Sequence, residues 1–183
     1  MPGRQRFVIL DRDGVINRDS AAYIKTPAEW QPLEGSLEAI AALFRAGFRI
    51  AVITNQSGIG RGLLSEATLQ QIHAKMLGAI EVAGGSVAGI FHCPHRPEEG
   101  CDCRKPAPGM LRRLEEELGF TLPGTPLIGD KAADMELARR VGARPILVRT
   151  GYGAQTLAGM DDSVEVYADL AGATDVLLSE PAA

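Results

Sequence analysis

The chain has 183 residues, 45% of them hydrophobic, and a formal net charge of −4 with no block of Lys or Arg. That length supports one sizeable core rather than two, so a single domain over residues 1–183 is expected. The acidic balance argues against nucleic-acid or membrane-surface partners, which need a basic face, and leaves room for a small anionic ligand in a local positive pocket.

The first hydrophobic run, Phe7-Val8-Ile9-Leu10, is short and follows no basic leader, so neither a signal peptide nor a membrane span is expected. It ends in Asp11-Arg12-Asp13-Gly14, the pattern of a buried strand breaking into a loop. From Gly14 to Leu33 the chain is polar and irregular, and reads as an excursion over a site, with Tyr23 and Trp30 as packing anchors. Ser36 is expected to cap a helix with Leu37, Ile40, Ala41, Leu43 and Phe44 at helical spacing and Gly47 closing it. Phe48 to Ile53 is a second buried strand, ending at Thr54-Asn55. The glycine-rich stretch Gln56 to Gly62 lacks the spacing and position of a dinucleotide fingerprint. A helix is expected from about Ser65 to Val82, and a third strand from Val87 to His92.

Beyond the cysteine-bearing loop, Pro108 opens a helix through Met110 to Leu118, stopped by Gly119. Pro126 to Ile128 is a strand ending at Gly129-Asp130, Ala132 to Val141 a helix, and Pro145 to Val148 a further strand. Val164 to Tyr167 reads as an edge strand and Ala168 to Leu178 as the last helix, before a weak tail at Pro181-Ala182-Ala183. This alternation predicts an α/β fold: a parallel, Rossmann-like sheet in three layers, with right-handed crossovers. The segments between strands are too short for a large cap domain, so loops must supply selectivity.

Four strand ends carry chemistry. Asp11 with Asp13, Thr54 with Asn55, Arg104 with Lys105, and Asp130 with Asp134 are the parts phosphoryl transfer needs. A carboxylate can act as nucleophile. A hydroxyl and a lysine can hold the non-bridging oxygens, and carboxylates from two strands can hold Mg²⁺. A lone D-x-D is more often a solvated turn; the later strand ends argue for a site.

Cys93, Cys101 and Cys103 are the only cysteines, an odd number in one short window, which suits a metal site in a reducing cytoplasm better than a disulfide framework. With His95 they form C-x-H…C-x-C, the donor set of a closed tetrahedral Cys₃His zinc site in a loop of about residues 92–105. The same donors can take iron. His92 is the rival to His95 but belongs to the preceding strand, and His73 needs no special role. A structural zinc here would fix the approach of Arg104 and Lys105.

The motifs Asp11-Arg12-Asp13-Gly14-Val15, Thr54-Asn55, Lys105-Pro106 and Gly129-Asp130-Lys131-Ala132-Ala133-Asp134 resemble, in order, those of the haloacid dehalogenase superfamily of phosphatases. The resemblance covers nearly the whole chain and implies that family's fold. By it, Asp11 is the nucleophile and Asp13 the general acid and base. Thr54 and Lys105 stabilise the transferring phosphoryl group. Mg²⁺ is held by the Asp11 carboxylate, the Asp13 carbonyl and Asp130, while Asp134 is a further metal contact or, the favoured alternatives, a helix-surface acid or a partner behind the ligands.

Together with the zinc loop, Thr54-Asn55-Gln56-Ser57 and Cys101-Asp102-Cys103-Arg104-Lys105-Pro106, the chain is similar to the heptose 1,7-bisphosphate 7-phosphatases. That similarity implies a sugar bisphosphate substrate, a place in lipopolysaccharide precursor synthesis, and a monomer. It places Asp19, Ser20, Ala21 and Ala22, then Thr54, Asn55, Gln56 and Ser57, then Arg104 and Lys105, along the substrate. Arg104 meets the distal phosphate; Arg61 is either a contact or a solvated charge. Two departures from the commoner pattern are the short loop between His95 and Cys101 and the Ser20-Ala21-Ala22 segment. Histidinol phosphate is the alternative substrate. A polynucleotide phosphatase lacks its basic, aromatic-studded groove here, and a zinc-stabilised binding module would not need the full set of acids, hydroxyl and lysine.

Overall fold

The computed structural model describes residues 6–181, so Ala182 and Ala183 of the expected tail lie outside the described residues. Six parallel strands form one sheet: β1 (Arg6–Asp11), β2 (Phe48–Asn55), β3 (Gly89–Cys93), β4 (Pro126–Gly129), β5 (Arg144–Val148) and β6 (Glu165–Tyr167), in spatial order β3-β2-β1-β4-β5-β6. The central strands read as continuous apolar runs because both faces are covered. Val8, Leu10, Ile50 and Val52 enter one core layer, while Ile9, Ala51 and Ile53 enter the other. The first layer is closed by α1 (Ser36–Arg45), α3 (Glu66–Val82) and α7 (Leu170–Ser179). Met110, Leu111 and Leu114 of α4 (Gly109–Leu118) and Leu137 and Ala138 of α5 (Ala132–Arg140) close the second.

Local details differ from the expectation in physically specific ways. Gly35 is the N-cap of α1, not Ser36. The Ser36 hydroxyl instead donates to the Ile16 carbonyl at 2.6 Å and lies 2.8 Å from that of Leu33, tying the excursion to the helix. Pro108 is the N-cap of α4 rather than its first residue, and β3 is centred later than expected, at Gly89–Cys93. Two short helices escape the periodicity signal because each spans about one turn: α2 (Ser57–Gly60) and α6 (Gly153–Leu157). Trp30 is buried in the first core layer, confirming its anchoring role, and Lys75 of α3 donates to the Pro27 and Trp30 carbonyls at 2.7 and 3.0 Å. The excursion is thereby held from two sides.

Candidate active site

The strand order reverses direction about β1, with β2 on one side and β4 on the other. Loops leaving the carboxyl ends of such neighbours open a crevice, and this is where the acidic residues gather. Asp11, the last residue of β1, is 3% exposed. Lys105 reaches it across the sheet, its Nζ 2.8 Å from Asp11 Oδ1 and 2.7 Å from Asp134 Oδ1. Burial, and then the Asp134 charge, push the Asp11 carboxyl well above the usual range, while Lys105 pulls it back. Burial works against the Lys105 charge, but Asp11 and Asp134 outweigh it and hold the ammonium protonated. Asn55 sets this lysine from the neighbouring strand, its Oδ1 accepting from Lys105 N at 3.0 Å.

Asp13 lives in the opposite environment. The guanidinium of Arg12 grips it, Nε and Nη2 donating to Oδ1 at 3.0 and 2.9 Å and Nη2 also to Oδ2 at 3.0 Å. Asn17 Nδ2 donates to Oδ1 at 2.9 Å, and Gln56 Nε2 to Oδ2 at 2.8 Å. Burial raises the Asp13 carboxyl, but the Arg12 charge and these hydrogen bonds outweigh it and hold the group below its ordinary value. Gln56 Nε2 also lies 2.8 Å from Thr54 Oγ1, which leaves the threonine proton free to point elsewhere. Sequence reasoning gave Arg12 and His73 no part, yet Arg12 is fully buried with Nη1 3.2 Å from His73 Nε2. Burial, then the Arg12 charge, push His73 down to about 3, so the imidazole is neutral and accepts from the guanidinium.

Asp130 follows β4. Burial raises its carboxyl most, against the Lys131 charge and the Tyr152 N–H, and it ends at about 6. Its Oδ1 is buried with no hydrogen-bond partner among the described residues. Carboxylate oxygens of Asp11, Asp130 and Asp134 lie within 4.8 Å of one another. Close, poorly solvated carboxylates are an unstable arrangement unless a cation or proton joins them, and an all-oxygen set suits a hard divalent ion. Lys105 is shared by Asp11 and Asp134, and Asp134 Oδ2 also accepts from Lys131 N at 3.0 Å, whereas Asp130 Oδ1 has neither a hydrogen bond nor an ion pair among the described residues.

Around these groups lies a cleft of about 310 Å³. Asp19, Ser20, Asn55, Gln56, Ser57 and Arg104 line it, as do Asp11, Asp13, Thr54 and Lys105. Ala21 and Ala22 are exposed in the same loop but outside the lining, and Arg61 is an exposed charge away from it. Tyr23 has one edge on the cleft and packs near Gly58. Lys131 is a wall residue the sequence reading passed over, although its place beside Asp130 was a signal. Its Nζ is 2.7 Å from Asp19 Oδ2 and 5.0 Å from the centre of the Tyr152 ring. A larger depression of about 480 Å³ lies at the opposite end of the sheet, where Arg144 is paired with Glu165 and Glu180 and Arg6 sits over Phe48.

The loop after β3 brings its four soft donors together. Cys93 Sγ, His95 Nδ1, Cys101 Sγ and Cys103 Sγ make five mutual approaches of 3.0–3.6 Å, and no disulfide forms. Metal–sulfur bonds of about 2.3 Å in a tetrahedron imply donor separations of about 3.8 Å, so the cluster fits a closed four-coordinate ion. His92 stays outside it, its Nε2 3.0 Å from Glu66 Oε2. Arg104 is coupled to this loop through the His95 carbonyl at 3.4 Å.

A family model described as "HAD-hyrolase-like" matches residues 102–173. The D-glycero-beta-D-manno-heptose-1,7-bisphosphate 7-phosphatase of Pseudomonas putida is 52% identical over 91% of this chain and 95% of its own length. That of Bordetella bronchiseptica is 48% identical over 96% and 99%. The crystal structure of the B. bronchiseptica D,D-heptose 1,7-bisphosphate phosphatase complexed with magnesium and phosphate superposes with a TM-score of 0.93 at 47% identity, covering 96% of this chain and 99% of that one. The chain belongs to the D-glycero-β-D-manno-heptose-1,7-bisphosphate 7-phosphatase family, within the haloacid dehalogenase-type hydrolases.

Proposed function

We propose that the protein removes the C7 phosphate of D-glycero-β-D-manno-heptose 1,7-bisphosphate through an aspartyl-phosphate on Asp11, in the supply of activated heptose for lipopolysaccharide. The observation that carries this reading is the single cleft shared by Asp11, Asp13, Thr54 and Lys105. The β-anomer and the heptose follow the names of the relatives, which favour this substrate over histidinol phosphate. A cytoplasmic monomer is part of the proposal; among the described residues no helix is long and apolar enough to cross a membrane.

Asp11 attacks phosphorus and the bond to the C7 oxygen breaks. Lys105, held charged beside Asp11, and the Thr54 hydroxyl, freed by Gln56, face the charge that spreads over the phosphoryl oxygens. Asp13 stands ionised in the free protein, and the negative charge of an arriving phosphate counters Arg12 and raises its proton affinity. With substrate bound it takes up a proton from solvent and gives it to the leaving C7 alkoxide. As the base, it then takes a proton from the water that attacks the aspartyl-phosphate, which restores Asp11 and releases phosphate.

The Asp11 and Asp130 carboxylates and the Asp13 carbonyl would hold Mg²⁺, with Asp130 Oδ1 the buried atom left for it. Bound there, the ion supplies charge neutralisation for two acids and the phosphoryl group. Zinc on Cys93, His95, Cys101 and Cys103 would be structural, since all four positions are filled by protein. Arg104, at the rim of the cleft, and Lys131 are the cations available to the distal phosphate. Phosphate release with Mg²⁺, followed by ³¹P NMR, tests the reading: the signal of the anomeric phosphate persists and that of C7 disappears. Loss of the anomeric phosphate first would overturn it.

A further inference from the structure

The turn after β5 belongs to none of the four motifs, yet it touches both halves of the acidic site. Thr150 Oγ1 donates to the Gly14 carbonyl at 2.7 Å, one peptide beyond Asp13. Tyr152 N donates to Asp130 Oδ2 at 2.8 Å, and Thr156 Oγ1 to the Asp130 carbonyl at 2.8 Å. Gly14 and Gly151 both have positive φ, 87° and 59°, and a Cβ on either would collide with the Asp130 carboxylate. Asp130 is therefore fixed at Oδ2 and at its backbone while Oδ1 alone stays unpartnered.

We infer that the segment from Thr150 to Thr156 is a positioning element that sets the separation of the β1 and β4 metal donors, and so makes the site select a small octahedral cation. The inference rests on the reading of Asp11 and Asp130 as magnesium ligands. Mg²⁺ demands oxygens at about 2.0–2.1 Å in near-ideal geometry, whereas Ca²⁺ accepts about 2.3–2.6 Å and irregular shells. A clamp across two strands penalises the larger, looser ion; a slack site does not. Partners that orient ligands from behind are commonly worth about 10–100-fold in metal affinity. Thr150 holds the β1 loop, Tyr152 and Thr156 hold the β4 acid, and the glycines remove the side chains that would hold them apart.

The test uses zinc-loaded protein without substrate, with Mn²⁺ binding followed by electron paramagnetic resonance and with Mg²⁺ and Ca²⁺ as competitors. Thr150→Val, which removes the hydroxyl and keeps the shape, is expected to weaken Mg²⁺ about tenfold and Ca²⁺ less, with the zinc content unchanged. Thr150→Ser keeps the donor and retains the native preference. Thr156→Val, acting on the Asp130 backbone, gives the same direction of change and stands in should Thr150→Val fail to fold. Asp130→Asn separates the two readings. If it leaves Mg²⁺ binding intact, the ligand assignment itself fails. If it abolishes binding while a folded Thr150→Val or its stand-in keeps both affinities, only the clamp is wrong. An equal loss of Mg²⁺ and Ca²⁺ also overturns the selectivity claim.

Discussion

Asp11 and Asp13 are separated by one residue, and the chain gives them opposite surroundings. Asp11 is buried and crowded by acids, which raise its carboxyl while Lys105 pulls it back; Asp13 is surrounded by donors from Arg12, Asn17 and Gln56, which hold its carboxyl down. Exchange of a nucleophile for an isosteric amide tests the first assignment: Asp11→Asn is expected to lower kcat by about 10⁴-fold or more with the fold retained. Full turnover in folded Asp11→Asn protein would remove Asp11 from the role. His73 supplies a second prediction at this scale. Its folded value of about 3 lies below the unfolded value of about 6.5, so between these the unfolded chain binds the extra proton. The native state therefore loses stability as pH falls from about 6.5 towards 3, by up to about 1.4 kcal/mol per pH unit from this group. Urea unfolding between pH 7 and pH 5 is expected to show a shallower decline for His73→Gln than for the native sequence. Parallel declines would mean that the imidazole is not held neutral beside Arg12.

The loop after β3 links the cluster of three cysteines and His95 to the cleft within a few residues: Cys103 is followed at once by Arg104 and Lys105. Removal of zinc by chelation is expected to free the His95 carbonyl that accepts from Arg104, lower kcat/KM at least about tenfold, and depress the melting temperature. Unchanged turnover in protein shown to be zinc-free would separate the loop from catalysis. Much of this element was legible in the sequence, because soft donors at C-x-H…C-x-C spacing have few other uses. The strand ends were legible for a related reason, since an apolar run that stops at an acid marks the tip of a buried strand. Less visible were the bonds that Gln56, itself expected at the substrate, makes to Asp13 and Thr54, and the parts played by Lys131 and the Thr150–Gly153 turn. They depend on groups far away in the chain, such as the Asp13 carboxylate for Gln56, the Asp19 carboxylate for Lys131 and the Gly14 carbonyl for Thr150, and no local period reports such pairings. Ser36 misled for the same reason: a residue type that commonly caps helices here bonds to Ile16, twenty positions earlier.

At the scale of the whole molecule, the parallel order β3-β2-β1-β4-β5-β6 puts the acids of β1 and β4 side by side and the β2 hydroxyl next to them. The connection from β1 to β2 holds only the excursion and α1, and that from β2 to β3 only α2 and α3, so the described chain has no large cap. Alternation of strand and helix made this architecture readable, while the exact ends of elements depended on tertiary contacts such as the Gly109 N–H to Asp102 carbonyl bond at 2.8 Å. An uncapped cleft leaves substrate choice to loops and charged lining, and the charges lining this one include Asp19, Arg104 and Lys131. The most direct test of that account is kcat/KM with Mg²⁺ for both anomers of heptose 1,7-bisphosphate and for histidinol phosphate, because that ratio is what defines specificity. The β-heptose bisphosphate is expected to be preferred over histidinol phosphate by at least about 100-fold, as a second phosphate meeting rim cations allows. Preference for histidinol phosphate would leave the chemistry at Asp11 in place and contradict the assignment of the rim to a bisphosphate.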